Sequence, residues 1–232
     1  MVALVRRTLG VRRVGHGGTL DPLASGLLPI LVGRATKFAQ RFQDARKVYD
    51  ALVRFGAETD TDDREGSVTR MANAPSLDAV NLERGVRKFR GVIEQVPPQY
   101  AALKVAGRPA YARARAGETM LLAARRVQVD RLEVIEVSPP DVRLLVVCSS
   151  GTYVRAIARD LGRAMASAAH LRGLRRLAVG ALDVRDAIAL DAIRAKGAEL
   201  ADLLRAPNDD LLTLDARFVE APVSIVIGES SQ

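Results

Sequence analysis

Residues 15–38, GHGGTLDPLASGLLPILVGRATKF, contain the densest group of chemically distinctive residues in the chain. Three glycines among the first four positions allow the backbone to approach a ligand closely and to adopt positive φ. The segment also contains His16 and Asp21, and Asp21 is followed by Pro22. A proline biases the residue before it towards an extended conformation, which would give the Asp21 carboxylate a defined direction. Spacing alone leaves two interpretations open: an ordinary glycine-rich turn capped by Asp21, and a reactive loop that presents it.

Outward from this loop, helical and strand patterns alternate irregularly. Val2–Leu9 is typical of a short helix stopped by Gly10, and Lys47–Phe55 alternates as a strand does. Tyr153–Ala168 is predicted as a helix and Leu174–Val179 as a strand. Regular βαβ alternation is not seen, which favours an α+β fold. The remaining predictions are a loop at 11–21, strands at 27–32, 100–105, 126–137 and 142–149, and helices at 35–45, 76–89 (with Ser76 as N-cap) and 109–116.

Length and composition exclude several classes of protein. A chain of 232 residues with 48% hydrophobic residues is long enough for one packed domain and is not disordered. One cysteine excludes a disulfide framework and a cysteine-based zinc site, and two histidines leave little for a histidine metal centre. Apolar runs stay far below the roughly 18 residues of a membrane span. The first residues lack the apolar core of a secretory signal, so we expect a cytoplasmic protein.

The charge indicates a nucleic-acid partner. Lys and Arg total 35 against 27 Asp and Glu, a formal charge of +8, and only five of the cations are Lys. Arginine offers a flat fork that suits phosphate and stacks on bases. Coding bias is an alternative explanation for the Arg to Lys ratio but does not explain the net charge. The candidates for phosphate contacts are Arg12, Arg13, Arg108, Arg113, Arg115, Arg172, Arg175 and Arg176.

Further distinctive motifs follow the glycine-rich segment along the chain. They are Lys47–Tyr49 with RFG at 54–56 and TDTD at 59–62, QVPP at 95–98 with AALK at 101–104, CSSGTYVR at 148–155, and LRR at 174–176. Together with residues 15–38 they resemble the TruB family of tRNA pseudouridine synthases, over roughly residues 2–190. Ala101 stands where serine is usual in that family. The resemblance implies the pseudouridine synthase fold, a mixed and mostly antiparallel sheet flanked by helices, with a central RNA-binding cleft.

The resemblance also implies a reaction and its catalytic residues. A tRNA pseudouridine(55) synthase breaks the N-glycosidic bond of a uridine, rotates the base and rejoins it through carbon, without cofactor or metal. Asp21 is then the nucleophile, and whether it attacks the ring or the sugar stays open. Arg155 is implied as its ionic partner, although by pattern alone it is a surface residue at a helix start. Tyr49 is implied to stack on the base and assist proton removal, although by pattern alone it is a half-buried strand tyrosine.

Four more positions are implied as substrate-binding residues. His16 matches the histidine that props the gap left by the flipped base, and Tyr153 and Leu174 match a pocket tyrosine and an apolar pocket wall. Lys47 matches a basic residue of the same region, with a phosphate or a structural role. The implied partner is the T-arm stem-loop of tRNA, bound by a monomer with its target uridine flipped out.

By comparison with the family, the chain is expected to be truncated at the N-terminus and in the C-terminal domain. We expect 1–190 to form the catalytic domain without its usual first strand. Residues 191–232 are expected to be a short C-terminal segment, the remnant of a small RNA-binding domain.

Two other functions remain open. One is a non-catalytic tRNA-binding or tRNA-folding protein with an intact pocket. The other is a hydrolase that uses Asp21, although the second acid expected at such a site is lacking. Asp60, Asp62 and Asp63 are interpreted as parts of a solvated turn. Cys148 is interpreted as a buried strand thiol, and His170 as a structural histidine.

Overall fold

The computed structural model describes residues 1–101, 103–105, 108–115, 117–118, 120–205, 209–212 and 226–227. The chain forms two compact units. Unit 1 comprises Met1–Val48 and Arg175–Ala221, and unit 2 comprises Tyr49–Leu174 and Pro222–Gln232. In the described residues, no helix is long and apolar enough to cross a membrane.

Helices and strands are interspersed along the chain. The helices are α1 (Val2–Leu9), α2 (Ala39–Asp44), α3 (Ala79–Arg87), α4 (Ala110–Arg115), α5 (Val154–Ala164) and α6 (Leu190–Lys196). The strands are β1 (Val14–His16), β2 (Ser25–Gly26), β3 (Ile30–Val32), β4 (Lys47–Phe55), β5 (Ala57–Thr59), β6 (Val68–Met71), β7 (Gly91–Gln95), β8 (Lys104–Val105), β9 (Arg108–Pro109), β10 (Arg125–Ser138), β11 (Asp141–Cys148), β12 (Ala169–Val179), β13 (Leu182–Asp183) and β14 (Val226–Ile227). Short 3₁₀ helices occupy Gly33–Phe38, Val184–Asp186, Gly197–Leu203 and Asp209–Leu212.

Unit 1 holds the glycine-rich loop between short strands. β1 pairs antiparallel with β3, while the second half of β12 pairs parallel with β2 and antiparallel with β13. One apolar cluster joins α1 and α6 through Val5 and Ile193. A second cluster places Phe42 of α2 beside Leu31 and Val179. The two clusters hold down the segments on both sides of the loop.

Unit 2 is a mixed sheet with helices. Its strand order is β12, β4, β11, β10, with β7 antiparallel and β14 parallel to β10. β10 and β11 form an antiparallel hairpin that is fully buried at Val129, Leu132 and Leu144. α5 buries Ile157 and Leu161. Sheet and helices follow each other without βαβ repetition, which confirms the α+β prediction.

The junction of α5 and β12 differs from the prediction, because the helix ends at Ala164 and the strand starts at Ala169. The alanine-rich residues between them favour a helix by propensity. The helix nevertheless ends early, because Ala166 adopts φ of 54° and the amide of Ser167 bonds back to the carbonyl of Gly162 over 2.9 Å. The following strand then crosses close to Gly162, where a Cβ would lie 2.4 Å from the Ala169 nitrogen.

Two smaller predictions are also corrected. The N-cap of α3 is Asp78, whose carboxylate accepts the amide of Asn81, whereas Ser76 donates its hydroxyl to Asp78. The predicted loop at 11–21 contains β1, because Val14–His16 pairs with β3. A three-residue strand beside several glycines leaves too little alternation to be recognised from sequence.

Replacing Gly162 by Ala should destabilise unit 2 by about 3 kcal/mol, because the added methyl meets backbone atoms that cannot move aside. Gly173 is the matched control, since a Cβ there would meet only Leu52 Cβ at 3.6 Å, an ordinary contact. Gly173→Ala should change stability by less than about 1 kcal/mol. Urea unfolding of both variants measures the difference, and equal midpoints would contradict the close approach.

Candidate active site

One set of candidate residues lies on the glycine-rich loop of unit 1. The amide of Gly17 donates to the carbonyl of Pro29 over 2.9 Å, and a Cβ at Gly17 would lie 2.6 Å from Phe42 Cβ. Gly18 has φ of 127°, which L-residues rarely adopt. The expected positive φ is therefore confirmed at Gly18, whereas the close approach at Gly17 is to Phe42, and the expected approach to a ligand stays a prediction.

Asp21 follows on the same loop and is half-buried. Its carbonyl accepts the amide of Ala24 over 2.9 Å, so the chain turns directly after the Asp21–Pro22 bond. After this turn the chain enters β2. Asp21 therefore belongs to a short segment that is bounded by β1 on one side and by β2 on the other.

Arg176 holds that segment, and its predicted contact with phosphate is wrong because the side chain is only 1% exposed. Its Nε donates to the carbonyl of Leu27 over 2.7 Å. Nη1 and Nη2 donate to the carbonyls of Thr19 and Gly18 over 3.2 and 3.3 Å. This buried guanidinium is a feature of the site that composition and spacing did not reveal.

His16 ends β1, opposite Ile30 of β3, and is half-buried. Its Nδ1 is buried and has no hydrogen-bond partner among the residues that the structure describes. A buried polar nitrogen without a hydrogen-bond partner lowers the stability of the fold. The side chain is thus suited to a ligand or to a water molecule.

Lys47 is the first residue of β4 and is 6% exposed. Its Nζ donates to the carbonyl of Ala45 over 2.6 Å and also to the carbonyl of Gln43. These are carbonyls at the end of α2, where a cation is favourable. Of the two roles expected for Lys47, this geometry favours the structural one.

In unit 2, α5 presents the tyrosine and arginine of the CSSGTYVR motif. Tyr153 is the N-cap residue of α5, and its backbone is held by Gln95, which is 2% exposed. The Gln95 amide accepts from the Tyr153 nitrogen over 2.8 Å and donates to its carbonyl over 3.1 Å. The Arg125 guanidinium carbon lies 5.9 Å from the centre of the Tyr153 ring. The glutamine of the QVPP motif therefore fixes the start of α5.

Arg155 is 5% exposed, so the alternative of a surface residue is wrong. Its Nη1 donates to the carbonyl of Thr61 over 3.0 Å, and Nη2 donates to the carbonyl of Tyr100 over 3.1 Å. Nη1 also lies 3.4 Å from Oδ2 of Asp63. Two segments of unit 2, the acidic segment and the one that contains Tyr100, thus orient the guanidinium before any substrate arrives.

The acidic segment forms turns, as predicted, but of the three acids interpreted as solvated only Asp60 is exposed, and Asp62 and Asp63 belong to a buried ion-pair network. Asp62 and Asp63 are buried, and Asp62 adopts φ of 60°. Asp62 Oδ2 accepts from Nη1 of Arg159 over 2.8 Å. Burial raises the pKa of Asp62 to about 6, while Arg159 and Arg155 oppose that rise.

The remaining predicted residues lie on strands. Tyr49 is half-buried on β4, and Leu174 on β12 is 9% exposed. Cys148 is buried on β11, as predicted, and His170 is buried with Nδ1 2.8 Å from the carbonyl of Ala57, as expected for a structural histidine. Within the described part of the chain, no three His, Cys, Asp or Glu side chains are grouped as metal ligands are.

Beside this network, Glu58 is a buried carboxylate that joins two arginines. Its oxygens accept from Arg163 over 2.7 Å and from Arg70. Although burial acts to raise the pKa, hydrogen bonds and charge from Arg163 and Arg70 lower the pKa of Glu58 to about 2. A lowered pKa in the folded state means that the ionised form stabilises the fold.

Glu58→Gln should lower the free energy of unfolding by on the order of 2 kcal/mol at pH 7, because the ion pairs are lost. The wild-type advantage is present above pH 4.5, the ordinary pKa, and is lost as the pH falls towards 2. Urea unfolding between pH 2 and 7 measures it, with exposed Glu65→Gln as control. A difference between Glu58→Gln and wild type that does not depend on pH would contradict the account.

The sequence profile described as "TruB family pseudouridylate synthase (N terminal domain)" matches residues 6–154. The chain belongs to the TruB family. The tRNA pseudouridine synthase B of Cupriavidus pinatubonensis is 46% identical over 215 residues, which cover 90% of this chain and 68% of that protein. The tRNA pseudouridine synthase B of Burkholderia pseudomallei is 45% identical over 208 residues, with the same coverage.

Solved structures agree with membership of the TruB family. A chain from the crystal structure of a Cbf5-Nop10-Gar1 complex superimposes with a TM-score of 0.65 at 27% identity. A chain from an H/ACA RNP bound to a substrate RNA containing 2'-deoxyuridine gives a TM-score of 0.61 at 25% identity. Both matches cover 88% of this chain but only 52% and 51% of the other chains. The predicted pseudouridine synthase fold is thereby confirmed.

Proposed function

We propose that this chain isomerises a uridine of tRNA to pseudouridine. The observation that carries the proposal is the 46% identity, over 90% of the chain, to a protein named tRNA pseudouridine synthase B. Two features of the chain support it: an aspartate on a glycine-rich loop and an arginine that is buried and oriented at the start of α5. A protein that only binds RNA needs neither a carboxylate at this position nor a fixed guanidinium.

Asp21 is the proposed nucleophile. A carboxylate is ionised at neutral pH and can form a covalent bond with the substrate that a later step reverses. The loop suits this task because glycines let the backbone lie close to a ligand, and the turn at Ala24 fixes the direction in which the chain leaves Asp21. The proposal covers attack on either the ring or the sugar.

Arg155 is proposed as the ionic partner of the nucleophile, and Tyr49 as the residue that stacks on the flipped uracil. A guanidinium whose orientation is set by carbonyls and by Asp63 can hold a carboxylate in its charged form. Stacking on an aromatic face suits an extruded base. Tyr153 and Leu174 are proposed to line the base site, and His16 to fill the gap in the stack, consistent with its unsatisfied Nδ1.

The proposed partner is the T-arm stem-loop of tRNA, bound by a monomer in the cytoplasm. The net charge of +8 supports a polyanionic partner, and binding should weaken steeply as salt rises. The division into a catalytic domain, 1–190, and a C-terminal segment, 191–232, also stays a prediction. Much of that segment lies outside the described residues.

Tritium release from RNA labelled at uracil C5 tests the proposal, because forming the new carbon bond expels that hydrogen. We expect release from a T-arm hairpin and none from an anticodon hairpin or from a T-arm hairpin with cytidine at the target position. Filter binding measures affinity for the same RNAs. Binding of the T-arm hairpin without release would favour the alternative, a tRNA-binding or tRNA-folding protein.

A further inference from the structure

We propose that Arg176 is a positioning residue that holds the Asp21 loop in its reactive conformation; the role rests on the function proposed above. Asp21 lies between two points of the chain that Arg176 contacts, the carbonyls of Gly18 and Thr19 on one side and Leu27 on the other. The side chain thus closes a loop of which the proposed nucleophile is the middle.

The side chain is suited to this task by its shape. A guanidinium carries donors in a rigid planar fork, and here Nε, Nη1 and Nη2 each reach a different carbonyl. Two of the three accepting carbonyls, those of Gly18 and Thr19, belong to the stretch between His16 and Ser25 that contains no helix or strand. Removing the fork would take the donor from the buried Leu27 carbonyl and from the partly buried bonds to Gly18 and Thr19, which loosens the segment.

The backbone of Arg176 also contacts this segment, in addition to the side chain. Its carbonyl accepts the amide of Leu27 over 2.9 Å, and β2 pairs with β12 so that Gly26 faces Arg176. A Cβ at Gly26 would lie 2.2 Å from that carbonyl oxygen, so the approach requires glycine there. Side chain and main chain of one residue therefore fix both the start and the end of the loop.

Hydrogen exchange of the full chain tests the positioning directly and needs no activity. In Arg176→Met, amides of peptides spanning 17–27 should exchange about tenfold faster, since bonds that hold the loop are lost. Peptides of α1 in the same unit should be unchanged. Arg185→Met is the matched control, because that arginine side chain is 64% exposed in the same unit. Unchanged exchange at 17–27 overturns the proposal.

Single-turnover kinetics add a readout that a merely structural role would not move. We expect the rate constant of Arg176→Met to fall about 100-fold, because a small displacement of a reacting group is costly. The tRNA dissociation constant of Arg176→Met should stay within about twofold of wild type. The rate constant of Arg176→Lys should lie between those of Arg176→Met and wild type, since an ammonium on a shorter side chain cannot reproduce the fork.

The outcomes separate the two proposals. If Arg176→Met has a lower melting temperature than wild type but the same rate constant, the positioning role is overturned. If Arg176→Met does not fold, the same two measurements on Arg176→Lys decide. If wild type shows no turnover, the proposed function fails, while the exchange at 17–27 still decides whether Arg176 holds the loop.

Discussion

Asp21→Asn is expected to lower the rate of pseudouridine formation by about 10⁴-fold or more, the scale seen when an enzyme loses its nucleophile. Asparagine has nearly the same shape but carries no charge and cannot form the covalent intermediate. Affinity for the T-arm hairpin should change little, because one carboxylate contributes little to binding a polyanion. Single-turnover tritium release and filter binding measure the two quantities.

Asp60→Asn is the matched control for that result. Asp60 is also an aspartate, but it is exposed and its Oδ1 accepts the amide of Ser67. We expect its rate constant to stay within about twofold of wild type, as for most surface substitutions. Turnover by Asp21→Asn at the wild-type rate would remove Asp21 from the mechanism and leave the family assignment intact.

Arg155→Met should both slow the reaction and weaken the fold. Loss of the guanidinium takes the ion-pair partner from Asp63 and the guanidinium donors from the carbonyls of Thr61 and Tyr100. Breaking a buried pair on one side costs on the order of 3 kcal/mol of stability. If Arg155 also holds the nucleophile, the single-turnover rate constant of the folded protein should fall by about 100-fold or more.

Arg159→Met separates the two effects of Arg155→Met. Arg159 lies one turn further along α5, is also buried, and bonds to Asp62 and to the carbonyl of Val96. We expect a comparable loss of stability, measured by urea unfolding, but a rate constant within about threefold of wild type. Equal rate losses in both variants would show that Arg155 acts only through the fold.

The sequence predicted those elements whose local pattern and tertiary packing agree. β4 spans Lys47–Phe55 and α1 spans Val2–Leu9, as predicted, because alternation, helical spacing and Gly10 all act locally. The end of α5 was mispredicted because a local helix preference was overruled by the approach of β12 to Gly162. Propensity carries no information about such a distant strand.

The candidate site also contains residues that the sequence identified and others that only the structure revealed. Residue type and spacing drew attention to Asp21 and its glycines but left an ordinary turn open, and the roles of Asp21, Tyr49 and Arg155 came from the family resemblance. Burial of Asp62 and Asp63 could not be inferred, since their arginine partners lie about a hundred positions away in sequence, with Arg159 separated from Asp62 by 97. Arg176 was assigned to phosphate for the same reason, because its acceptors lie up to 158 positions earlier.

The most direct test of the central claim is nucleoside analysis of tRNA treated with the full chain. Isomerisation keeps the mass of the RNA, so complete digestion should show one uridine per tRNA replaced by pseudouridine, with no free uracil. Uracil release with an abasic site would show a hydrolase instead. Unchanged uridine in tRNA that the chain demonstrably binds would contradict the claim that this chain is a uridine isomerase.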